Sequence, residues 1–378
     1  MTGIRPGMNH MASPILGVRS GGRASIIKQI QYGSISIGAA ASSNTATITA
    51  VTTANCLIFW NGAYNGTAST NQNMIADVVL TNTTTVTATR SSTSDTCVAR
   101  FVVVEFVPGV LTSVQRGTIT IASGSTSNTA TITSVSENVA FFNCLGFRNN
   151  NSSNERIDSA FATVDLTDAT TVTAARTTND TFDTIVGYQV AEFNSLYIYR
   201  TAKVQAVLSA ASGFLTLTGA VGSAISTYPQ GGVPFIGFAG FKVPVALASA
   251  FFTPSLEFST NNTYKMFFTR DLNGSSTSGT TSLSVVFFRP DFIKAAQLIT
   301  VPMLAASSAT DLLPANNVAA KTLVALTGYR TDSAVGQSSA GCLGQLSAGV
   351  YYDGANLLTN RGSGTNNLYL QTSMIEFV

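Results

Sequence analysis

The stretch that decides the fold is Phe101-Val102-Val103-Val104-Glu105-Phe106-Val107, a short apolar run with a single acidic residue. Related runs occur as Tyr188-Gln189-Val190-Ala191-Glu192-Phe193, Val285-Val286-Phe287-Phe288 and Ser373-Met374-Ile375-Glu376-Phe377-Val378. Short apolar runs rich in valine and aromatic residues are typical of buried strands. Because the last run coincides with the final residue of the sequence, we expect each run to be the closing strand of one repeated unit.

Two landmarks precede every closing strand in the same order, an apolar-aromatic step and then a lone arginine. The aromatic residues advance by 87, 91 and 91 positions, and each arginine follows after 29 to 32 positions. Such self-similarity at a nearly fixed period predicts a tandem array. The landmark pairs are Trp60 with Arg90, Phe147 with Arg176, Phe238 with Arg270, and Tyr329 with Arg361. The predicted organisation is an N-terminal arm at 1–28 and four units at 29–111, 112–199, 200–294 and 295–378.

Alternating apolar and hydroxyl residues indicate the fold class. Residues 33–38 and 44–49 alternate with a period of two, and the same patterns begin again 84 positions later, at 117 and 128. That period is typical of half-buried strands, and the turn-rich spacers predict hairpins. We expect an all-β protein of four tandem β-sandwich units, immunoglobulin-like or jelly-roll-like, each of about 88 residues. The apolar segment 231–258 fits the same pattern better than a membrane span, because Lys242 and three prolines interrupt it.

The composition favours a protein that functions as part of an assembly. Charged residues make up 10% of the chain, the formal net charge is +2 and apolar residues account for 45%. The usual charged fraction is about 25%, so little charge keeps copies of this chain apart in solution. Nucleic acid is not an expected partner, because phosphate neutralisation needs many basic residues. No secretory signal is visible near Met1, and neither this nor any other feature predicts a membrane partner.

The predicted arm is basic and contains no acidic residue. It is either a frayed terminus or a segment that becomes ordered on an acidic partner surface. Its candidate assembly residues are Arg5, Arg19, Arg23 and Lys28.

The cysteines are not placed at one repeated position, so we expect free thiols, as in a chain folded in a reducing cytoplasm. A disulfide between Cys56 and Cys97 is the alternative within the first unit. The four cysteines are Cys56, Cys97, Cys144 and Cys342.

No chemical site is predicted. The single histidine, His10, lies in the arm, and the usual nucleophile, phosphate-loop and dinucleotide motifs are missing. The acidic pairs Asp165 with Asp168 and Asp180 with Asp183 lie beside turns, where aspartate commonly bonds to its own backbone. The segment 271–274 lacks the further acidic ligands of a calcium loop. We therefore expect no catalytic residue, no metal and no cofactor.

The repeated arginine and glutamate suggest an ion pair. If their strands are neighbours, Arg90 pairs with Glu105, and Arg176 and Arg361 form equivalent pairs with Glu192 and Glu376. Phe287 takes the acidic place in the third unit, so this pair is not essential to the fold. The phenylalanine of the closing strand is instead expected to belong to the core. That series is Phe106, Phe193, Phe288 and Phe377.

A basic arm, tandem β-sandwich units, low charge and many Ser, Thr and Asn residues together resemble bacteriophage virion structural proteins, of the capsid decoration, head-fibre, collar or tail-fibre type. The resemblance implies a non-enzymatic virion component, folded in the host cytoplasm and assembled as a homo-oligomer with other virion proteins. The alternative is a receptor-binding fibre or adhesin whose polar loops contact host glycans. The loops considered for that role are 62–73 and 274–281.

Overall fold

In a computed structural model of the chain, the described residues form 24 β-strands, one short helix and a few single turns of 3-10 helix. The described residues are 24–65, 75–91, 93, 95–149, 157–208, 212–216, 232–242, 253–258, 264–269, 279–303, 308–312, 318–331, 348–361 and 368–378. The helix, α1, spans Ile157–Ala160. The predicted all-β class and the four tandem β-sandwich units are confirmed.

Each unit contributes six of the described strands. Unit 1 contains β1 Ile27–Ile37, β2 Ser43–Thr47, β3 Cys56–Tyr64, β4 Asp77–Asn82, β5 Thr85–Thr89 and β6 Cys97–Phe106. Unit 2 contains β7 Leu111–Ile121, β8 Ser127–Thr131, β9 Ala140–Asn149, β10 Thr163–Asp168, β11 Thr171–Ala175 and β12 Thr184–Phe193. Unit 3 contains β13 Ile198–Leu208, β14 Ser212–Thr216, β15 Val233–Lys242, β16 Thr253–Phe258, β17 Tyr264–Thr269 and β18 Gly279–Phe288. Unit 4 contains β19 Ile293–Met303, β20 Ser308–Leu312, β21 Thr322–Thr331, β22 Ala348–Tyr352, β23 Asn356–Arg361 and β24 Leu368–Phe377.

Within a unit the strands form two antiparallel half-sheets. The first half-sheet pairs the first, sixth and third strands, as in β1-β6-β3, and the second half-sheet pairs the second, fifth and fourth, as in β2-β5-β4. Their facing residues are apolar and buried, for example Ile35, Trp60, Val86 and Phe101 in unit 1. The alternation seen in the sequence is therefore the alternation between this interior and the outer face.

Neighbouring units share their sheets. The fourth strand of one unit lies beside the third strand of the next, so that β4 joins β9 and β10 joins β15 in six-stranded sheets. In the same way β16 lies beside β21. Finally β22 of unit 4 pairs with β3 of unit 1. The four units thus close into a ring in which every sandwich is joined to both of its neighbours.

A β-bulge in the third strand marks each junction between units. In unit 1 the register shifts between Trp60 and Ala63, and Gly62 is paired with Gly349 of unit 4. Gly62 has a φ of +96° and Gly240 a φ of +94°, a region that favours glycine. A Cβ at Gly62 would lie 1.9 Å from the carbonyl oxygen of Ala348, and one at Gly240 would lie 2.1 Å from that of Ala162. Glycine therefore permits the close approach of the two units.

The bulge corrects the predicted equivalence of the aromatic steps. Counted from the bulge, Trp60 and Phe238 occupy the same position, but Cys144 takes it in unit 2, and Phe147 lies three residues further on. The rings meet nonetheless: Trp60 lies 5.6 Å from Phe147 and 5.9 Å from Phe238, measured between ring centroids. Similar spacing in the sequence arose here from two different structural positions.

The phenylalanines of the closing strands form the centre of the ring. All four side chains are buried, which confirms that this series belongs to the core. Each ring meets the next edge to face, with interplanar angles of 87° to 90°, so the contacts form a closed cycle. The centroid distances are 5.7 Å for Phe106 to Phe193, 5.6 Å for Phe193 to Phe288, 5.5 Å for Phe288 to Phe377 and 6.3 Å for Phe377 to Phe106.

Candidate functional site

The ring has two chemically different ends. At the linker end lie the connections between units, residues 107–110, 194–197 and 289–292, together with residues 24–26 and Val378. At the loop end lie the turns 38–42 and 122–126 and the segments that precede the closing strands. The antiparallel pairing fixes this division, because Ile27 is opposite Phe106 whereas Ile37 is opposite Cys97.

Of the predicted assembly residues, only Lys28 lies among the described residues, and it belongs to β1 at the linker end. Its Nζ lies 2.9 Å from Oε1 of the buried Glu105. Burial alone would raise the pKa of Glu105, but hydrogen bonds from Lys28, the Gln29 amide and the backbone N–H of Thr52 lower it on balance. Lys28 is thus an ion-pair partner within unit 1. Arg5, Arg19 and Arg23 lie outside the described residues.

The predicted pair of Arg90 with Glu105 is wrong. Arg90 follows β5 at the loop end, while Glu105 lies near the linker end of β6. Strand β6, from Cys97 to Phe106, separates the two ends. At about 3.3 Å per residue, the length of this strand is far beyond the reach of a side chain. The same holds for the other two pairs, since Glu192 binds Ser113 and the backbone N–H of Ser136, and Glu376 binds Lys294 at 2.8 Å. Arg270 of unit 3 lies outside the described residues.

The repeated arginine instead holds the turns of the loop end. Arg90 donates to the carbonyl oxygens of Gly38 and Ala41 at 2.9 to 3.1 Å. Arg176 bonds the equivalent turn through the carbonyls of Ala122 and Ser125 at 3.0 Å. Each arginine therefore ties the first hairpin of its unit to the end of the fifth strand.

The two arginines differ at one nitrogen. Nη1 of Arg176 donates to the Phe182 carbonyl at 2.7 Å and to Thr184 Oγ1 at 3.0 Å. In unit 1 the position of Thr184 is taken by Cys97, as the pairings with Ile121 and Ile37 show. Nη1 of Arg90 is buried and has no hydrogen-bond partner. Burial lowers the pKa of Arg90 accordingly.

The seams between units are closed by a repeated hydrogen bond that the sequence reasoning missed. Four residues before the bulge glycine, the backbone N–H of each third strand donates to a side chain of the next unit. Nε2 of Gln189 also donates to the Ile58 carbonyl oxygen at 3.3 Å, so the side-chain amide bonds this backbone as the backbone of a neighbouring strand would. For Gln189, Ser284 and Ser373 the available signal was a polar residue in the closing strand, whereas Tyr32 lies in the first strand of unit 1. The bonds are Ile58 to Gln189 Oε1 (3.2 Å), Phe142 to Ser284 Oγ (3.2 Å), Ile236 to Ser373 Oγ (3.1 Å) and Val324 to Tyr32 Oη (2.7 Å).

Ion pairs add to two seams. Nε of Arg148 in unit 2 lies 3.0 Å from Oδ2 of Asp77 in unit 1. Burial nevertheless raises the pKa of Asp77 to about 6, because desolvation outweighs the attraction to Arg148. Lys203 of unit 3 binds Asp165 of unit 2 at 2.8 Å. The carboxylates of the seams are therefore bound within the fold.

The remaining predicted turn carboxylates accept hydrogen bonds from backbone N–H groups. Asp168 accepts the backbone N–H of Thr170 at 2.7 Å, and Asp180 accepts that of Thr181 at 2.6 Å, as the turn interpretation predicted. Asp183 accepts the N–H of Ser123 across the loop end at 2.8 Å. Asp165 differs, because it pairs with Lys203. Among the described residues, no group of His, Cys, Asp and Glu side chains is arranged to hold a metal ion.

The thiols are free where the structure describes them. Cys56, Cys97 and Cys144 are buried and unbridged, so the alternative disulfide between Cys56 and Cys97 does not form. Burial raises the pKa of Cys56 and of Cys97 to about 12 and that of Cys144 further, which makes these thiols poor nucleophiles. Cys342 lies outside the described residues.

A cavity of about 260 Å³ opens at the linker end of unit 4. It is lined by Lys294, Val318, Lys321, Glu376, Phe377 and Val378.

Parts of the loops considered for glycans lie outside the described residues, namely 66–73 of the loop 62–73 and 274–278 of the loop 274–281. The apolar segment near residue 240 forms the strands β15 and β16. In the part of the chain that the structure describes, no helix has the length and apolar character to cross a membrane.

Within the described ranges of the chain, the hydrogen bonds and ion pairs of the seams join parts of the ring to one another. No protein-family model matches the chain, and no curated protein sequence matches it.

Proposed function

We propose that the chain is a non-enzymatic structural component of a bacteriophage virion, a capsid decoration, collar or tail-associated protein that acts by assembly. The observation that carries the proposal is the closure of the ring, in which the last unit pairs with the first through Gly349 and Gly62. This pairing joins strand edges of the last and first units, and the centre is filled by aromatic side chains. Such a block suits a part that bears load rather than one that encloses a substrate.

Further support comes from how its reactive groups are placed. The three described cysteines are buried, and the carboxylates of Glu105 and Glu376 are each held by a lysine and a backbone N–H. Few charges remain to keep copies apart, which suits incorporation in many copies beside other virion proteins. The linker end, from which the predicted arm would extend, is the natural side for anchoring.

Quantitative peptide mass spectrometry of salt-washed parent particles tests this proposal. The chain should be retained after washing, at a copy number that is a multiple of a symmetry of the particle. Deletion of residues 1–25 should reduce retention if the arm anchors the protein. Absence of the chain from washed particles would refute the virion assignment.

The second candidate function is recognition of host glycans by the loop end. One observation favours it: the loop end lies opposite the linker end, so an anchored ring would present its turns outward. The turns there contain alanine, serine and glycine at 38–42 and 122–126. A glycan array probed with the purified chain separates the two functions, because a purely structural block should show no saturable binding.

A further inference from the structure

The fourfold repetition of the linker end is broken at one place. In every unit the residue after the closing strand bonds a carbonyl at the start of the first strand, and these acceptors are equivalent: Ile26, Val110, Tyr197 and Phe292. At the position immediately before this acceptor, units 1, 2 and 4 have a small or acidic residue, whereas unit 3 has leucine. The four residues are Ser25, Gly109, Leu196 and Asp291.

Leu196 is 67% exposed, the highest value among the large apolar side chains that the structure describes. Tyr199, at the start of β13, is 37% exposed beside it. Its counterparts in the other units are again polar: Lys28, Thr112 and Lys294. At these two positions an apolar or aromatic side chain is therefore special to one quarter of the ring.

An arginine completes the surface and is held in place. The guanidinium carbon of Arg289 lies 4.6 Å from the centroid of the Tyr199 ring, and Nε and Nη2 donate to the Ser195 carbonyl at 3.2 and 3.1 Å. The rings of Tyr197 and Phe292 also pack against each other, with their centroids 5.2 Å apart. We name Leu196, Tyr199 and Arg289 the Leu196 patch. Arg289 and Tyr199 are held by these contacts within the chain, which lowers the entropy lost when a partner binds.

In the described part of the chain the charge of the Leu196 patch has no ion-pair partner. In units 1 and 4 the lysine at the Tyr199 position pairs with a glutamate of the closing strand, Glu105 or Glu376. In unit 3 that glutamate is replaced by Phe287. Among the described residues Arg289 forms no ion pair, and its guanidinium bonds the Ser195 carbonyl and lies over the Tyr199 ring. The patch therefore presents one positive charge beside an exposed leucine.

We propose that the Leu196 patch is the contact through which the ring docks on a neighbouring virion protein, one that offers an apolar recess beside a carboxylate. This inference rests on the proposed structural function. Aromatic and arginine side chains dominate the binding energy of protein interfaces, and an exposed leucine beside them supplies apolar area. Contact with a second copy across a twofold axis fits less well, because that symmetry would bring Arg289 toward its own counterpart.

The test replaces the patch by residues that other units carry at the same positions. The triple variant Leu196→Ser, Tyr199→Thr and Arg289→Asn copies Ser25, Thr112 and Asn194, which already fit this fold. The control is Val79→Ser on the outer face of β4, where the valine is 40% exposed. Purified full-length protein is added to particles produced without it, and the dissociation constant is measured by cosedimentation. Thermal melting confirms that all variants are folded.

We expect the natural chain and Val79→Ser to bind alike, and the triple variant to bind at least about tenfold more weakly. If the natural chain fails to bind, the structural function and the docking site are both refuted. If the triple variant binds as tightly as the natural chain, the docking site alone is refuted. Equal loss in Val79→Ser, or a dimer of the natural chain in sedimentation velocity that the triple variant abolishes, would likewise overturn the proposed partner.

Discussion

Substitution of Gly62 by alanine should destabilise the protein more than the backbone conformation alone explains. Gly62 has a φ of +96°, and a side chain in this region costs roughly 1 to 2 kcal/mol. A Cβ there would also lie 1.9 Å from the Ala348 carbonyl oxygen, and backbone of unit 4 cannot swing aside as a flexible side chain can. We expect Gly62→Ala to lower the free energy of unfolding by more than about 3 kcal/mol, because strain and separation of the seam add.

Two other glycines separate these effects. Gly109 has a φ of +89° but no atom within 4 Å of an added Cβ, so Gly109→Ala should show the backbone cost alone, about 1 to 2 kcal/mol. Gly38 has neither a positive φ nor a close neighbour, and Gly38→Ala should be neutral or stabilising by up to about 1 kcal/mol. Free energies come from urea unfolding of the full chain.

A seam-specific measurement strengthens the comparison. Hydrogen exchange in β22 should accelerate in Gly62→Ala but not in Gly109→Ala, because only the former separates β22 from β3. Equal destabilisation by Gly62→Ala and Gly109→Ala, with unchanged exchange in β22, would refute the close approach of unit 1 and unit 4 at this position.

Three further predictions concern single side chains. Cys97→Thr copies Thr184 of unit 2 and should stabilise the fold by about 1 kcal/mol in urea unfolding, because the hydroxyl accepts a bond from the orphaned Nη1 of Arg90; a destabilised variant would contradict this. Burial raises the pKa of Asp77 from 3.8 to about 6, so its stabilising contribution is complete below pH 4 and is lost as the pH rises through 6. That loss is about 3 kcal/mol at 1.36 kcal/mol per pKa unit, and unfolding measured from pH 4 to 7 should show it in the natural chain but not in Asp77→Asn. Phe377→Ala should cost about 3 to 5 kcal/mol by removing one ring from the central cycle, and a loss below 1 kcal/mol in the same assay would show that the cycle contributes little.

The fold class could be read from the sequence because its signals are local. The alternation around Thr45 and Thr87 follows from the pleat of a strand with one buried face. Phe106 and its counterparts were identified as core because they are the constant apolar feature of a repeated strand. These signals need no knowledge of which strands are neighbours.

The seams and the arginine sites could not be read in the same way, because they depend on neighbours far apart in the chain. Asp77 meets Gly146 and Gly62 meets Gly349, and no local pattern encodes either pairing. The error over Arg90 and Glu105 has the same origin, since a sequence shows that two residues recur but not which end of a strand each one occupies. Cys144 was likewise overlooked as the counterpart of Trp60, because the one-residue bulge hides the register.

One sequence repeat does not by itself form a closed structure. A single unit would leave the outer edge of its third strand and of its fourth strand unpaired, and open edges favour association with other chains. Pairing of β4 with β9, of β10 with β15 and of β22 with β3 joins such edges of neighbouring units, and β16 lies beside β21. The side chains of Gln189, Ser284, Ser373 and Tyr32 then bond the strand segments that the backbone pairing does not reach. Since these contacts bind unit to unit around a common aromatic centre, only the departures from the repeat, such as Leu196, remain to distinguish one side of the ring from another.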